Sequence, residues 1–187
     1  MDRKTVIVIA AAAIALLIVI WAVVKRRQRT VVLRRNFGPE YERVVKEQGA
    51  ARADAVLLDR QKRVEKFPLR TLTAEEREHF VTEWRIIQSR FVDDPSTAVG
   101  EADALVVRLM HLRGYPMADF EQRAADISVH YPRVVDNYRA AHEVALRHHR
   151  GEATTEDLRN SMIYYRTLFD ELLETNTVRV RAKREVA

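Results

Sequence analysis

Twenty consecutive positions, Thr5 to Val24, carry no charge, Gly or Pro. Beyond Lys25 apolar residues recur every third or fourth position instead, the period of an amphipathic helix. The first pattern predicts a helix apolar on every face. At 1.5 Å per residue its length suits a hydrocarbon core of about 30 Å. The second pattern predicts a run of helices, each with one buried stripe. Residues 39–67 form a long charged helix or stalk with Tyr41, Val44, Val45, Ala51, Ala55 and Leu58 on one side, and Gly49 allows it to be two helices. Thr73-Ala74-Glu75-Glu76 is a capping box, opening a helix to about Phe91 with Phe80, Trp84, Ile87 and Phe91 inward. Asp94-Pro95 starts the next, which carries Val99, Ala102, Leu105, Val106, Leu109 and Leu112 to Gly114.

A shorter helix follows from Met117 to His130, with Phe120, Ala124 and Ile127 on one face. Pro132 to Arg150 carries Val134, Val135, Tyr138, Ala141, Ala145 and Leu146, and closes at Gly151. The last helix begins at Thr154 and turns Leu158, Met162, Tyr165, Leu168, Phe169 and Leu172 inward. No strand-period segment competes with this, since Val178 and Val180, which alternate with Arg in the tail, would make an isolated strand with no partner. The expected architecture is therefore all-α: an N-terminal transmembrane helix, then a five- to six-helix bundle. Its parts are a flank at 1–4, the span at 5–24, a basic juxtamembrane segment at 25–38, the stalk at 39–67, the bundle at 73–175 and a basic flexible tail at 176–187. A helical-repeat stack is the minor alternative.

Charge sets the orientation of the span. Arg3 and Lys4, offset by Asp2, precede it, whereas Lys25, Arg26, Arg27, Arg29, Arg34 and Arg35 follow it before the first acid at Glu40. The positive-inside rule then puts the C-terminal side in the cytoplasm of a bacterial cell, anchored in the inner membrane. The same six cations are the candidate contact with anionic lipid headgroups, and Trp21 suits the interfacial aromatic belt. A cleaved signal peptide is the competing reading, but the apolar run is too long, and no A-x-A site lies at its boundary with Lys25. Ala11 and Ala15 form a small-xxx-small pair, a weak pointer to a homo-oligomer.

The chain carries a net charge of +5, yet from Asn36 onward 24 basic residues face 26 acidic ones. The positive excess belongs to the flank of the span, and the helical domain lacks the basic surplus of a nucleic-acid binder. With no cysteine, disulfides and thiolate chemistry are excluded. Glu76-Arg77-Glu78-His79 matches one E-x-x-H without the second that a di-iron bundle needs. His142-Glu143 with His148-His149 misses the H-E-x-x-H spacing because position 146 is Leu. No phosphate-binding or nucleophile-elbow motif occurs. These patterns predict no catalytic, cofactor-binding or metal-binding residue, no cofactor, and a non-enzymatic chain.

Tyrosines 115, 131, 138, 164 and 165 gather in the C-terminal half, near several arginines. They suggest a candidate partner surface at Arg113, Tyr115, Arg133 and Tyr138. The favoured alternative places the rings in the bundle core with hydroxyls at its edge.

The stretch Phe91–Leu173, FVDDPSTAVGEADALVVRLMHLRGYP through to YYRTLFDELL, resembles a set of uncharacterised bacterial proteins from soil bacteria. These have a short N-terminal membrane segment, a polar helical region and then this stretch, and are described as membrane or secreted proteins. The resemblance implies a single-pass envelope protein and no activity, substrate or site residue; the secreted description implies the opposite topology. The expected function is a membrane-anchored protein-interaction or scaffold module. A tethered enzymatic or small-molecule-binding domain is the alternative.

Overall fold

Asp94 and Asp119 illustrate how this chain begins its helices. Asp94 Oδ1 accepts from the Thr97 amide at 3.0 Å, and Asp119 Oδ1 accepts from the Gln122 amide at 2.8 Å. Each satisfies one amide that the first helical turn leaves free. At Thr73 the capping box is complete, the hydroxyl accepting from the Glu76 amide at 3.1 Å and the Glu76 carboxylate from the Thr73 amide at 2.9 Å. These bonds, after a larger contribution from Arg70, hold the Glu76 carboxyl down at about 2.

The computed structural model describes the backbone of residues 3–174 and the side chains of 14 and 16–174. Eight α-helices and no strand occur among the described residues: α1 (Arg3–Phe37), α2 (Pro39–Gln48), α3 (Ala50–Val64), α4 (Ala74–Arg90), α5 (Pro95–Leu112), α6 (Phe120–His130), α7 (Val135–His149) and α8 (Thr155–Glu174). The fold is an all-α bundle. Among the described residues no helix is long and apolar enough to cross a membrane. Half of the expected span Thr5–Val24, positions 5–13 and 15, has its side chains outside the described residues, and the expected flank's first two residues and the whole tail 176–187 lie outside them altogether.

The chain divides into two compact units, Met1–Leu58 and Asp59–Ala187. In the first, α1 continues without a break through the basic segment expected to stand apart at 25–38, and ends at Phe37. Gly38 then turns the chain, and Pro39 opens α2. The stalk is two helices. Gly49, at φ 81°, adopts a conformation open to glycine at little cost, and its amide caps α2 by donating to Val45 O at 2.8 Å. That break resets the helical phase. Ala53, Leu57 and Val64 are the buried apolar positions of α3, whereas Ala51 and Ala55 are exposed and Leu58 is half-buried.

In the second unit α5 lies against α4, α7 and α8, and α7 and α8 pair along their lengths as a hairpin. The core is apolar and continuous: Phe80, Trp84 and Ile87 from α4, Val99 to Met110 from α5, Ala124 and Ile127 from α6, Tyr138 and Ala141 from α7, and Leu158 to Leu173 from α8. Two helices start later than expected. α6 begins at Phe120 because Asp119 is its cap, and α7 begins at Val135 after a turn at Tyr131–Val134. On α7 Val144 is buried with Val135, Tyr138 and Ala141, whereas Leu146 is 41% exposed. The last turns of α3 dock on α6 through polar contacts. Arg63 donates to Asp126 at 2.8 Å through Nε and again through Nη2, and Arg60 Nη1 reaches Ser128 Oγ at 3.4 Å.

Candidate functional site

In the first unit, every described large apolar side chain from Ile14 to Val24 is exposed, including Leu16, Leu17, Ile18, Val19, Ile20, Trp21 and Val23. These positions cover all sides of the helix, since successive residues are 100° apart. An all-round apolar exterior is unfavourable in water and suits an apolar surrounding.

The six candidate lipid-contact cations lie just beyond, and they divide. Lys25, Arg26 and Arg29 line a cleft of about 510 Å³ between α1 and α3, together with Trp21, Asp54 and Leu58. Lys25 Nζ sits 4.5 Å from the centre of the Trp21 ring, a cation–π contact across one helical turn. Thr30, one turn after Arg26, donates to the Asp54 carboxylate, whose other oxygen accepts from the Tyr41 hydroxyl at 3.0 Å. That bond and burial both raise the Tyr41 phenol, burial contributing more. Arg34 is already committed, donating from Nε to Glu42 at 2.7 Å and lying over the Tyr41 ring. Arg27 and Arg35 are exposed and do not line the cleft.

The candidate partner surface of the second unit requires correction. Arg113, Tyr115 and Tyr138 are buried, at 5%, 4% and 0% exposure, and only Arg133 faces solvent. Arg113 Nη1 donates to the Leu172 carbonyl at 2.7 Å, placing a cation on the last turn of α8, where the helix dipole favours one. The Tyr115 hydroxyl pairs with His130 Nδ1 at 2.8 Å. Tyr131 and Tyr165 are buried as well, while Tyr164 is half-buried.

Tyr138 belongs to a buried polar cluster whose members are scattered along the sequence. Its hydroxyl accepts from Arg123 Nε at 3.3 Å, and burial pushes its phenol up to about 12. The Tyr165 hydroxyl and Asp103 Oδ1 are both sealed from solvent without a hydrogen-bond partner. Burial first, and the Asp103 carboxylate second, raise the Tyr165 phenol. His142 stacks on Phe120 with ring centres 3.6 Å apart, and burial lowers its pKa. Burial thus keeps both phenols protonated and favours the neutral form of the His142 ring, making this a cluster of polar groups within the helix interface.

The other histidines are engaged locally. His79 Nε2 meets Glu83 at 2.9 Å, and His148 Nε2 meets Ser96 Oγ at 2.6 Å. No group of three potential metal ligands converges among the described residues.

Pattern reading did not identify one further feature. α4 and α8 both pack on α5 and leave between them a groove of about 690 Å³, with Trp84, Phe91, Met162 and Ile163 as its apolar lining and Arg159 and Arg166 among its polar groups. The aromatic stripe of α4 was visible in the sequence, but its spacing alone does not say that one edge stays uncovered. No family model matches this chain, and no curated protein and no solved structure matches it either.

Proposed function

We propose that this chain is a single-pass membrane protein whose helical domain serves as an interaction or scaffold module at the cytoplasmic face of a bacterial inner membrane. One observation carries the reading: the exposed apolar exterior of α1 from Ile14 to Val24, which continues the uncharged run from Thr5 and gives way at once to Lys25, Arg26 and Arg27. Exposed apolar side chains around a whole helix are what a hydrocarbon surrounding accommodates, and the cations after it favour the cytoplasmic side. The membrane partner is the lipid bilayer with its anionic headgroups; a protein partner would engage the helical domain.

The test is protease accessibility of a C-terminal tag in spheroplasts and in inverted membrane vesicles. Digestion only in inverted vesicles is the expected result. Digestion in spheroplasts overturns the orientation, and tag in the soluble fraction overturns the anchor.

The α4/α8 groove supports a second reading, a tethered small-molecule-binding domain, because about 690 Å³ lies in the range of ligand pockets. A rise in thermal stability with an apolar ligand, lost in Met162→Glu, would favour it.

A further inference from the structure

The cations after the apolar exterior of α1 are not a uniform basic collar. Trp21, Lys25 and Arg29 follow one another at four-residue intervals along one ridge of α1. Ala22, Arg26 and Thr30 form the ridge beside it. α3 faces both ridges and closes the cleft with Asp54 and Leu58. Arg34 shows the usual fate of such a cation, a pairing with a nearby acid, here Glu42. Lys25, Arg26 and Arg29 make no ion pair among the described residues, although an acid stands in their own cleft. Asp54 instead accepts from two hydroxyls, those of Thr30 and Tyr41. The cleft therefore keeps three cations against one carboxylate whose two oxygens each accept a hydroxyl.

The apolar side of the cleft is continuous with the exterior of α1. Leu17 and Ile14, one and two turns before Trp21 on the same face, are 64% and 58% exposed. A molecule seated in the cleft would meet an anion-binding pocket at one end and an uncovered apolar track at the other. Trp21 stands at the junction, where an indole favours the interface between hydrocarbon and headgroups.

We propose that the α1/α3 cleft is a binding site for the phosphate headgroup of one anionic phospholipid. Lys25, Arg26 and Arg29 contact the phosphate, and Leu17 and Ile14 lie along an acyl chain. This inference rests on the membrane-anchored reading and adds a defined stoichiometric site to the diffuse attraction that any basic flank exerts on an anionic surface.

The experiment compares two full-length variants that remove the same charge from the same helix, Arg26→Gln/Arg29→Gln and Arg27→Gln/Arg35→Gln. Each is reconstituted in bilayers containing phosphatidylglycerol and phosphatidylcholine, and retained lipid is counted by native mass spectrometry. The wild-type chain is expected to retain one phosphatidylglycerol. Retention should weaken about tenfold or more in the cleft variant, the scale of losing a hydrogen bond to a charged group, and stay near wild type in the control. Equal weakening in both variants overturns the site and leaves only diffuse attraction. Displacement of the lipid by millimolar inorganic phosphate overturns the lipid as occupant and leaves an ion site. A carbonate wash of cell membranes distinguishes the underlying reading: release of the wild-type chain overturns the anchor itself. Retention in the membrane with equal lipid loss overturns the cleft alone.

Discussion

The indole of Trp84 on α4 stacks on the ring of Phe169 on α8, with centres 4.8 Å apart and planes 24° from parallel. The Arg166 guanidinium lies over both rings, 5.5 Å and 5.9 Å from their centres, while its Nε holds Asp170 at 2.7 Å. This stack ties α4 to α8 at the floor of a groove that is otherwise open between them. Trp84 is 2% exposed, and its Nε1 has no hydrogen-bond partner, so its contribution is packing. Trp84→Ala is expected to lower unfolding free energy by about 3–5 kcal/mol, the range for emptying a large aromatic site. Trp84→Phe should cost clearly less, since it forfeits no hydrogen bond. Urea denaturation of the full chain in detergent checks both; near-equal losses would show that the indole's polar edge matters.

Gly114 ends α5 at φ 93°, and a Cβ there would lie 2.4 Å from the Pro68 carbonyl oxygen. Neither obstacle can relax cheaply, because the neighbour is backbone and the conformation is one that L side chains avoid. Gly151 closes α7 at φ 73° with open space around it. Gly151→Ala should thus cost about 1 kcal/mol, the conformational penalty alone, and Gly114→Ala at least about 2 kcal/mol. Thermal melts of the two variants give the comparison. Equal shifts would mean that the segment around Pro68 moves aside.

Helix identity was legible because the starts at Thr73, Asp94, Asp119 and Thr154 carry side-chain caps and each stripe its own period, as Phe80–Trp84–Ile87 illustrates. Phase was less legible. Gly49 reads as a weakness in one helix, but its positive φ starts a new one, so the apolar side of α3 is Ala53–Leu57–Val64. Leu146 and Val144 exchange roles because both fit a helical stripe and only the packing partner decides between them. Arg113 and Tyr115 look like surface residues at a corner. They are buried because a carbonyl at Leu172 and an imidazole at His130, distant in sequence, satisfy their polar ends. The α1/α3 cleft was half legible. Its cations stand in one run, but Asp54 comes to them from 24 residues beyond Thr30.

Alkaline pH should unfold the helical domain through its buried phenols. The Tyr138 phenol is pushed up to about 12 and that of Tyr165 is also raised, both mainly by burial. A folded-state value above the ordinary value of about 10 means that the folded protein holds the proton more tightly. The associated stability is complete below pH 10 and is lost as pH rises through 12. For Tyr138 it amounts to about 2–3 kcal/mol. Tyr138→Phe should flatten that alkaline loss, measured as the dependence of the urea midpoint on pH from 9 to 12. An unchanged slope would mean that the ring reaches solvent before it ionises.

Within the second unit Arg63 in the last turn of α3 is paired with Asp126 of α6, and the two contribute unequally. The Asp126 side chain is 4% exposed, and Arg63 is 40% exposed. Besides Arg63, the carboxylate accepts from Gln122 Nε2 at 2.8 Å. Removing Arg63 strands a buried negative charge with a neutral amide as its remaining partner, whereas removing Asp126 releases an arginine that can turn to water. Arg63→Met is therefore expected to cost about 2–3 kcal/mol, below the full range for a broken buried pair because the guanidinium is partly solvated. Asp126→Asn should cost less, and the double variant Arg63→Met/Asp126→Leu should recover most of the loss, since an apolar pair of similar volume often matches a buried ion pair. A double-mutant cycle on unfolding free energies separates the terms. If Asp126→Asn proves the costlier single change, the carboxylate's hydrogen bonds outweigh its unpaired charge, and the pair holds α3 by geometry more than by charge.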